Sequence, residues 1–495
     1  MVKLPKLGVG ITFFSGFESV LRDNVDLIDV IEIEPQTIWK QESLESNKYL
    51  INYDILKSIK SFEIPKLVHS VGLPVGGTHL PDSNQISLLK KMISELDAPW
   101  MSEHLSFNQA KNDNGNFFTG FFLPPSQTFE SVKSCIKSIN HLKKKVSIPL
   151  AIEVGVNYLK PRKDELSDGQ FISAVTNGAN CGILLDLHNI WTNSINGHQN
   201  VSDFLKEIPL ERVWEIHVAG GFEEDGYWLD AHSGEIPKPL FNLAKKLIPK
   251  LTNLSAIIFE LFPSYYPQFG SSDIRSQLKL IHKLWNNRPT QSPKVESLSI
   301  QFPKKKLFIY TPIEWEKTLG SLVTHQQIDN QLSRELYDDP AIKLYKKLIH
   351  SFRASMIIQT LKITTRLLSL TLGKVHFNEL LEKYFKELTP NQFASSEAKQ
   401  FTHYLLNKKL KVQYLDEVIA FELAVISTLL DNKNRIVRFD HEPLPVLMSI
   451  LKNVLPSKPK KGNFEIEITS DSIKNLNKKQ KLEQQFEWQS MRWHH

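Results

Sequence analysis

The sequence predicts a TIM-type (β/α)8 barrel followed by a mainly α-helical C-terminal domain. Three observations carry this. Eight short apolar runs, rich in β-branched and aromatic residues, recur between residues 8 and 261. Amphipathic stretches separate them. After a proline-bearing break, the apolar period becomes that of helices.

The runs are Gly8–Phe13, Ile28–Ile33, Leu67–Val71, Trp100–Leu105, Pro149–Val154, Gly182–Leu187, Val213–Val218 and Ala256–Leu261. None alternates cleanly with polar residues, as expected of parallel strands buried on both faces. Helical stretches between them include Ser87–Leu96, Thr128–Lys144 and Asp203–Glu207. An open doubly wound sheet is the other architecture of this pattern, but no G-x-G-x-x-G follows the first run. The barrel is assigned to residues 1–285 and a linker with Pro289, Pro293 and Pro303 to 286–306. A helical domain follows over 307–458 and a basic tail over 459–495. Leu307–Tyr310 reads as a short strand. Helices are expected over Ala341–Leu370, Val375–Glu387, Ser395–Asn407, Tyr414–Leu430 and Leu444–Val454, and a strand over Phe464–Ile468.

Composition narrows the function. The 495 residues lack an apolar window of eighteen, so no membrane span is expected. The start, Met1 to Lys6, lacks the apolar run of a signal peptide. Cys135 and Cys181 are the only cysteines, which excludes a disulfide scaffold, an iron–sulfur cluster and a thiolate-rich zinc site. A cytoplasmic location is expected. A net charge of +6 is small for this length. The runs Lys143–Lys145, Lys304–Lys306 and Lys458–Lys461 read as solvated surface, so a nucleic-acid partner is not expected.

In a barrel, chemistry sits at the C-terminal strand ends. Those ends carry His69, Glu103 with His104, Glu153, Asp186 with His188 and Asn189, His217, and Glu260. Asp230 and His232 lie in the loop after the seventh run. Glu32 and Glu34 line the base or the mouth, and Glu103 is placed to orient a neighbouring histidine. His79, His141, His198 and His282 fall elsewhere and receive no role. A single histidine in a barrel strand is more often a hydrogen-bonded core residue than a ligand. A buried carboxylate must be paired or bind a cation. Jointly, His69, His104, His188, His217, His232, Glu153, Asp186, Asp230 and Glu260 exceed the four to six or so ligands of one transition metal. Nitrogen and oxygen donors without thiolate suit iron, manganese or zinc.

These residues carry a resemblance. Gly8-Val9-Gly10, Val68-His69-Ser70-Val71-Gly72-Leu73, Ser102-Glu103-His104-Leu105-Ser106 and Leu123-Pro124 belong to it. So do Ile183-Leu184-Leu185-Asp186-Leu187-His188-Asn189, Glu215-Ile216-His217-Val218-Ala219-Gly220 and Asp230-Ala231-His232. Together they resemble the multinuclear non-heme iron-dependent oxidative enzymes over about residues 5–285. The resemblance implies a TIM barrel holding two or three irons, in mixed Fe(II)/Fe(III) states. Dioxygen would serve as co-substrate and a ribosomal precursor peptide, often at cysteine, as substrate. It implies ligands at His69, His104, Glu153, Asp186, Asn189, His217, Asp230, His232 and Glu260. Two positions depart from the family. His188 stands where asparagine is frequent, as an added ligand or a changed one. Val154-Gly155 replace the Asn-Pro that often follows the glutamate.

Phe352-Arg353-Ala354-Ser355, Tyr414-Leu415-Asp416-Glu417 and Phe421-Glu422 resemble the helical DNA-binding-type and MbnC-like partner families encoded beside such enzymes. This implies a peptide-engaging partner fused in cis. Two other readings stand beside the oxidase. One is a sugar-isomerase- or phosphodiesterase-like barrel using zinc or manganese to activate water or polarise a carbonyl. The other is a non-enzymatic nucleic-acid or protein-binding module.

Overall fold

A computed structural model describes residues 3–113, 115–289 and 310–473. Eight parallel strands close a barrel: β1 (Gly8–Phe13), β2 (Val30–Ile33), β3 (Lys66–Ser70), β4 (Met101–His104), β5 (Leu150–Glu153), β6 (Gly182–Asp186), β7 (Val213–Ala219) and β8 (Ala256–Glu260). They run in chain order around the ring, with β1 paired to both β2 and β8. The eight predicted runs are these strands, shifted by at most two residues at either end. Outward-facing Val9, Ile11, Ile31, Ile152, Ile183, Ile216 and Ile257 are buried under the surrounding helices. The barrel floor is largely apolar, formed by Val30, Leu67, Trp100, Ala256 and Ile258, with Leu4 and Leu7 against it, and the buried Glu215 accepts from Trp100 Nε1 at 2.9 Å.

Two predicted boundaries are corrected. The sixth run stops at Asp186, not Leu187, because the Asp186 side chain caps helix Leu187–Ile195. The single helix expected over Ala341–Leu370 is two, Pro340–Thr360 and Lys362–Leu372. The break at Leu361 has a cause: the Glu422 carboxylate accepts the N–H groups of Ile363 and Thr364 at 2.7 and 2.8 Å. These donors lie in the first turn of the second helix, where they lack intrahelical partners. Three hairpins were not foreseen: 39–51, 107–123 and 222–229. Helices Pro312–Val323 and Gln331–Tyr337 and strand Arg435–His441 were also missed. That strand pairs with Lys461–Ile468, which contains the predicted strand. Residues 307–309 of another predicted strand, most of the 286–306 linker and the tail beyond 473 lie outside the described residues.

The helical region builds on the barrel's upper loops. Trp315, Leu319, Tyr345 and Ile349 share one buried cluster with Phe107, Leu123, Tyr158 and Leu229 of those loops. Residues from Ile357 to Ile473 form a second cluster of their own. Gly120, in the 107–123 hairpin, shows how close the approach is. Its φ is +76°, and a Cβ there would meet Pro390 Cγ at 2.7 Å. Contacts reach the loops after β2 (Lys399 to Glu45), β3 (Thr78 to Glu316), β5 (Tyr158 to Tyr345) and β7 (Lys347 to Glu224). The loops after β1 and β8 instead join each other, through Phe14–Phe262 and Phe17–Tyr266. Among the described residues, no hydrogen bond, ion pair or ring contact ties those two loops to residues 310–473. Among the described residues, no helix is long and apolar enough to cross a membrane.

Candidate metal centre

Strand register decides which side chains meet. Alternate residues face inward, and paired residues on neighbouring strands stand side by side. Thr12 pairs with Glu32, His69 with Ser102, His104 with Glu153, Asp186 with His217 and Ala219 with Glu260. The side chains confirm the direction. Thr12 Oγ1 donates to Glu32 Oε1 at 2.9 Å, and Ser102 Oγ lies 2.8 Å from His69 Nδ1. One polar layer thus lies directly above the largely apolar floor.

Within it, two carboxylates act as hubs. Glu153 Oε2 lies 3.3 Å from both His69 Nε2 and His104 Nε2. Glu260 Oε2 lies 3.2 Å from His217 Nδ1 and 3.5 Å from His232 Nε2. Four overlapping groups have donor atoms within 4.8 Å of one another: His69, His104 and Glu153; Glu153, Asp186 and His217; Asp186, His232 and Glu260; and Glu32, His217 and Glu260. Glu153, Asp186, His217 and Glu260 each serve two groups, the sharing that adjacent cations with bridging carboxylates require.

The other predicted residues surround this set. Asn189 Nδ2 donates to Glu153 Oε1 at 3.1 Å. Asp230 Oδ1 lies 3.1 Å from His232 Nε2 and accepts from His188 Nδ1 at 2.8 Å. Glu103 accepts the backbone N–H of His104 on one oxygen and that of Leu73 on the other. It therefore ties the strand end to the next loop, with His104 Nδ1 3.7 Å away. Glu32 belongs to the cluster through His217 Nε2 at 3.1 Å. The sequence placed Glu32 only at the base or the mouth; its register against Thr12 across β1 and β2 brings it into the cluster. Outside the site, His198 lies between Asp168 and the Leu159 carbonyl, and His282 faces the Leu27 carbonyl. Both are structural contacts.

The donor set fits metal ions. Glu153 Oε2, Asp186 Oδ2, Asn189 Oδ1, His217 Nδ1 and His232 Nε2 are buried and lack hydrogen-bond partners. An unsatisfied buried polar atom costs about 1–3 kcal/mol, and here they converge. Asp186 shows the arrangement within one residue. Its Oδ1 is fixed by the N–H groups of His188 and Asn189 at 2.6 and 3.0 Å, while Oδ2 remains unpartnered.

Without cations, protons balance the charge. Burial pushes the Glu153 carboxyl up to about 8. Burial, with Asp230 and Glu260 nearby, pushes Asp186 up to about 6. Burial opposes charging His104, but Glu153 and Glu103 outweigh it and raise His104 to about 9. Asp230 and Glu260 likewise overcome burial and raise His232 to about 10. His217 rises well above the ordinary range against burial, through Glu260 and Glu32. Glu260 is held down to about 2 despite burial, by His217 and His232. His69 moves the other way, lowered by burial and by the neighbouring histidines. A neutral imidazole is the form that binds metal.

A model of the RiPP precursor modification enzyme MbnB/TglH/ChrH family matches residues 8–268. A UPF0276 protein of Streptomyces avermitilis is 26% identical over 234 residues, 46% of this chain and 47% of that protein. One from an Anaeromyxobacter species is 26% identical over 196 residues, covering 40% and 68%. One from Shewanella loihica is 30% identical over 176 residues, covering 35% and 61%. The chain thus spans about half the length of the first of these relatives. Similar solved structures include a xylose isomerase domain protein from Planctomyces limnophilus, with TM-score 0.37 and 13% identity over 57% of this chain and 97% of that one. Endonuclease IV from Thermus thermophilus gives 0.35 and 11% over 57% and 99%. The family match spans all eight barrel strands and just over half of the residues, so the chain belongs to the MbnB/TglH/ChrH family of RiPP precursor modification enzymes.

Proposed function

We propose that this protein oxidises a ribosomally made precursor peptide at cysteine, using two or three irons and dioxygen. The observation that carries the reading is the layer of shared, unpartnered donors at the barrel mouth. His69, His104, Glu153, Asp186, Asn189, His217, Asp230, His232 and Glu260 hold the metals, with Glu32 added by the geometry. Bound iron supplies Lewis acidity that keeps a thiol deprotonated, and electrons for dioxygen. The chain's own residues do the rest. The neutral His69 is oriented through Ser102, and the Phe122 ring stacks on His104 at 4.5 Å. The largely apolar floor closes the layer from below.

The oxidised sulfur comes from the peptide. Cys135 lies buried in helix Phe129–Val146, with its thiol directed at the Gly76 carbonyl. Cys181 precedes β6 at the opposite end of the barrel from the metal layer, and burial pushes its thiol up to about 12. The helical region supplies peptide recognition in cis, a reading supported by its contacts with the loops after β2, β3, β5 and β7. Phe262 is 37% exposed and packs against His232 with centroids 4.5 Å apart and ring planes tilted by 34°.

The test is metal analysis and Mössbauer spectroscopy on protein made anaerobically with iron supplied. It is followed by incubation with dioxygen and a cysteine-bearing precursor encoded beside the protein. At least two irons per chain and a mass change on the peptide are expected. Stoichiometric zinc with iron-independent turnover refutes the proposal.

A further inference from the structure

We infer that His188 is a positioning residue and not a ligand: Trp228 fixes its ring so that it holds the Asp230 carboxylate. The inference rests on reading Asp230 and His232 as metal-holding residues.

The argument is one of donors and acceptors. His188 is fully buried. Its Nε2 lies 3.1 Å from Trp228 Nε1. An indole N–H only donates, so Nε2 is the acceptor and carries no hydrogen. The proton of the neutral ring is then on Nδ1, which donates to Asp230 Oδ1 at 2.8 Å. Both nitrogens are used, and the one in-plane lone pair of the neutral ring, on Nε2, is taken by the Trp228 N–H.

The surroundings are built for this contact. Helix Leu187–Ile195 carries His188 and Trp191, and its C-cap is Asn196. Asn196 clamps the Trp228 backbone twice: Oδ1 accepts from Trp228 N and Nδ2 donates to Trp228 O, both at 2.9 Å. Trp191 packs edge-on against Trp228 with centroids 5.0 Å apart. Gly221 leaves the necessary space, since a Cβ there would lie 2.7 Å from both His188 Nε2 and Trp228 Nε1. On the far side, the Tyr158 hydroxyl accepts the backbone N–H of Asp230 at 3.3 Å. Asp230 is thus held at backbone and side chain, beside His232. Outer partners of this kind set ligand geometry, and their loss typically weakens metal binding about 10–100-fold.

The experiment uses histidine-labelled full-length protein and Zn(II) as the probe. Ring ¹⁵N shifts are recorded before and after zinc, with His188 identified by its loss in His188→Asn. The expected His188 pattern is protonated Nδ1 and bare Nε2, unchanged by zinc, while His217 and His232 signals move. Trp228→Phe keeps the aromatic packing but removes the donor. It is expected to scramble the His188 tautomer and weaken zinc binding about tenfold or more. His188→Asn, whose amide still donates to Asp230, should bind zinc more tightly than His188→Leu. Zinc moving the His188 Nε2 signal, or Trp228→Phe leaving tautomer and affinity unchanged, overturns the inference alone. Zinc moving no histidine signal overturns the metal reading beneath it.

Discussion

Two regions of this protein bury charge, and they do so in opposite ways. In the helical region, Arg353 and Glu397 are both fully buried. Glu397 Oε1 accepts from Arg353 Nε at 2.7 Å and from the Tyr384 hydroxyl at 3.0 Å. Its Oε2 accepts twice from Asn391, at 2.9 and 3.0 Å. Arg353 spends its other N–H groups on the carbonyls of Phe385, Leu388 and Thr389. Few lone pairs or protons are left over. At the barrel mouth, four carboxylates and four histidines share a smaller space, and several atoms that face one another have no partner. A buried pair that satisfies itself locks a fold. A buried set that does not is waiting for a cation. Burial alone does not separate the two, whereas the inventory of unpaired atoms does.

The largest effect that would sharpen this contrast is on stability and metal content together. Glu397→Ala leaves the Arg353 guanidinium buried without its counter-ion and is expected to destabilise the protein by about 3–5 kcal/mol. Metal content per folded chain should not change. His69→Ala, Glu153→Ala, Asp186→Ala and His217→Ala are expected to do the reverse. Each should lose at least one metal equivalent, and for Glu153→Ala and Asp186→Ala, whose carboxyls burial pushes up, the metal-free melting temperature should hold steady. Metal analysis beside thermal melts checks both. Four mouth variants that melt early with full metal would erase the distinction.

The second effect is a slope with pH. In the metal-free protein, His104 at about 9 and His232 at about 10 stand above the ordinary histidine value of 6.5. Their stabilisation is complete below about pH 6.5 and is lost as pH rises through 9 and 10. Glu153 at about 8 has the same sign, since the folded chain keeps a proton that the unfolded chain has released above about 4.5. Metal-free stability should therefore fall between about pH 6 and 10, by about 1.4 kcal/mol per pH unit for each proton held in excess. Glu260, held near 2, acts only in acid: its contribution is lost as pH falls below about 4.5. Metal displaces the protons, so loaded protein should lose the alkaline slope, and loading should release protons measurable by calorimetry in two buffers.

The same contrast explains what was legible in the sequence. The barrel strands were readable because burial on both faces makes them continuous apolar runs. The candidate donors stood out because charge at such strand ends is costly. Glu32 was seen but given no role, since membership depends on register across strands. Trp228 had no signal, because its partner is forty residues earlier and the link is one indole hydrogen. The helix break at Leu361 was hidden for the same reason, its cause being Glu422, 59 residues away. Strand Arg435–His441 does alternate, with Val437 and Phe439 buried between exposed neighbours. It was passed over amid helical patterns. Local period is written in local sequence; caps, hairpin contacts and supporting hydrogen bonds are long-range.

The smallest predicted effect tests the contrast most closely. Burial pushes Glu422 up to about 7, almost as far as Glu153 at about 8. By titration alone the two look alike. They differ in what their oxygens touch: both Glu422 oxygens accept helix N–H groups, whereas Glu153 Oε2 has no hydrogen-bond partner. Glu422→Gln keeps one accepting oxygen and loses the other bond, so a loss of about 1 kcal/mol is expected, with full metal content. The folded-state value lies above the unfolded one, so the wild-type carboxyl gives up stability as pH rises from about 4.5 through 7. The glutamine does not titrate, and the variant's deficit should therefore narrow between pH 5 and 8. Glu153→Gln should show the opposite emphasis, with little change in metal-free melting and a clear loss of metal. If both variants lost metal equally, the unpaired oxygen would not be what marks the site.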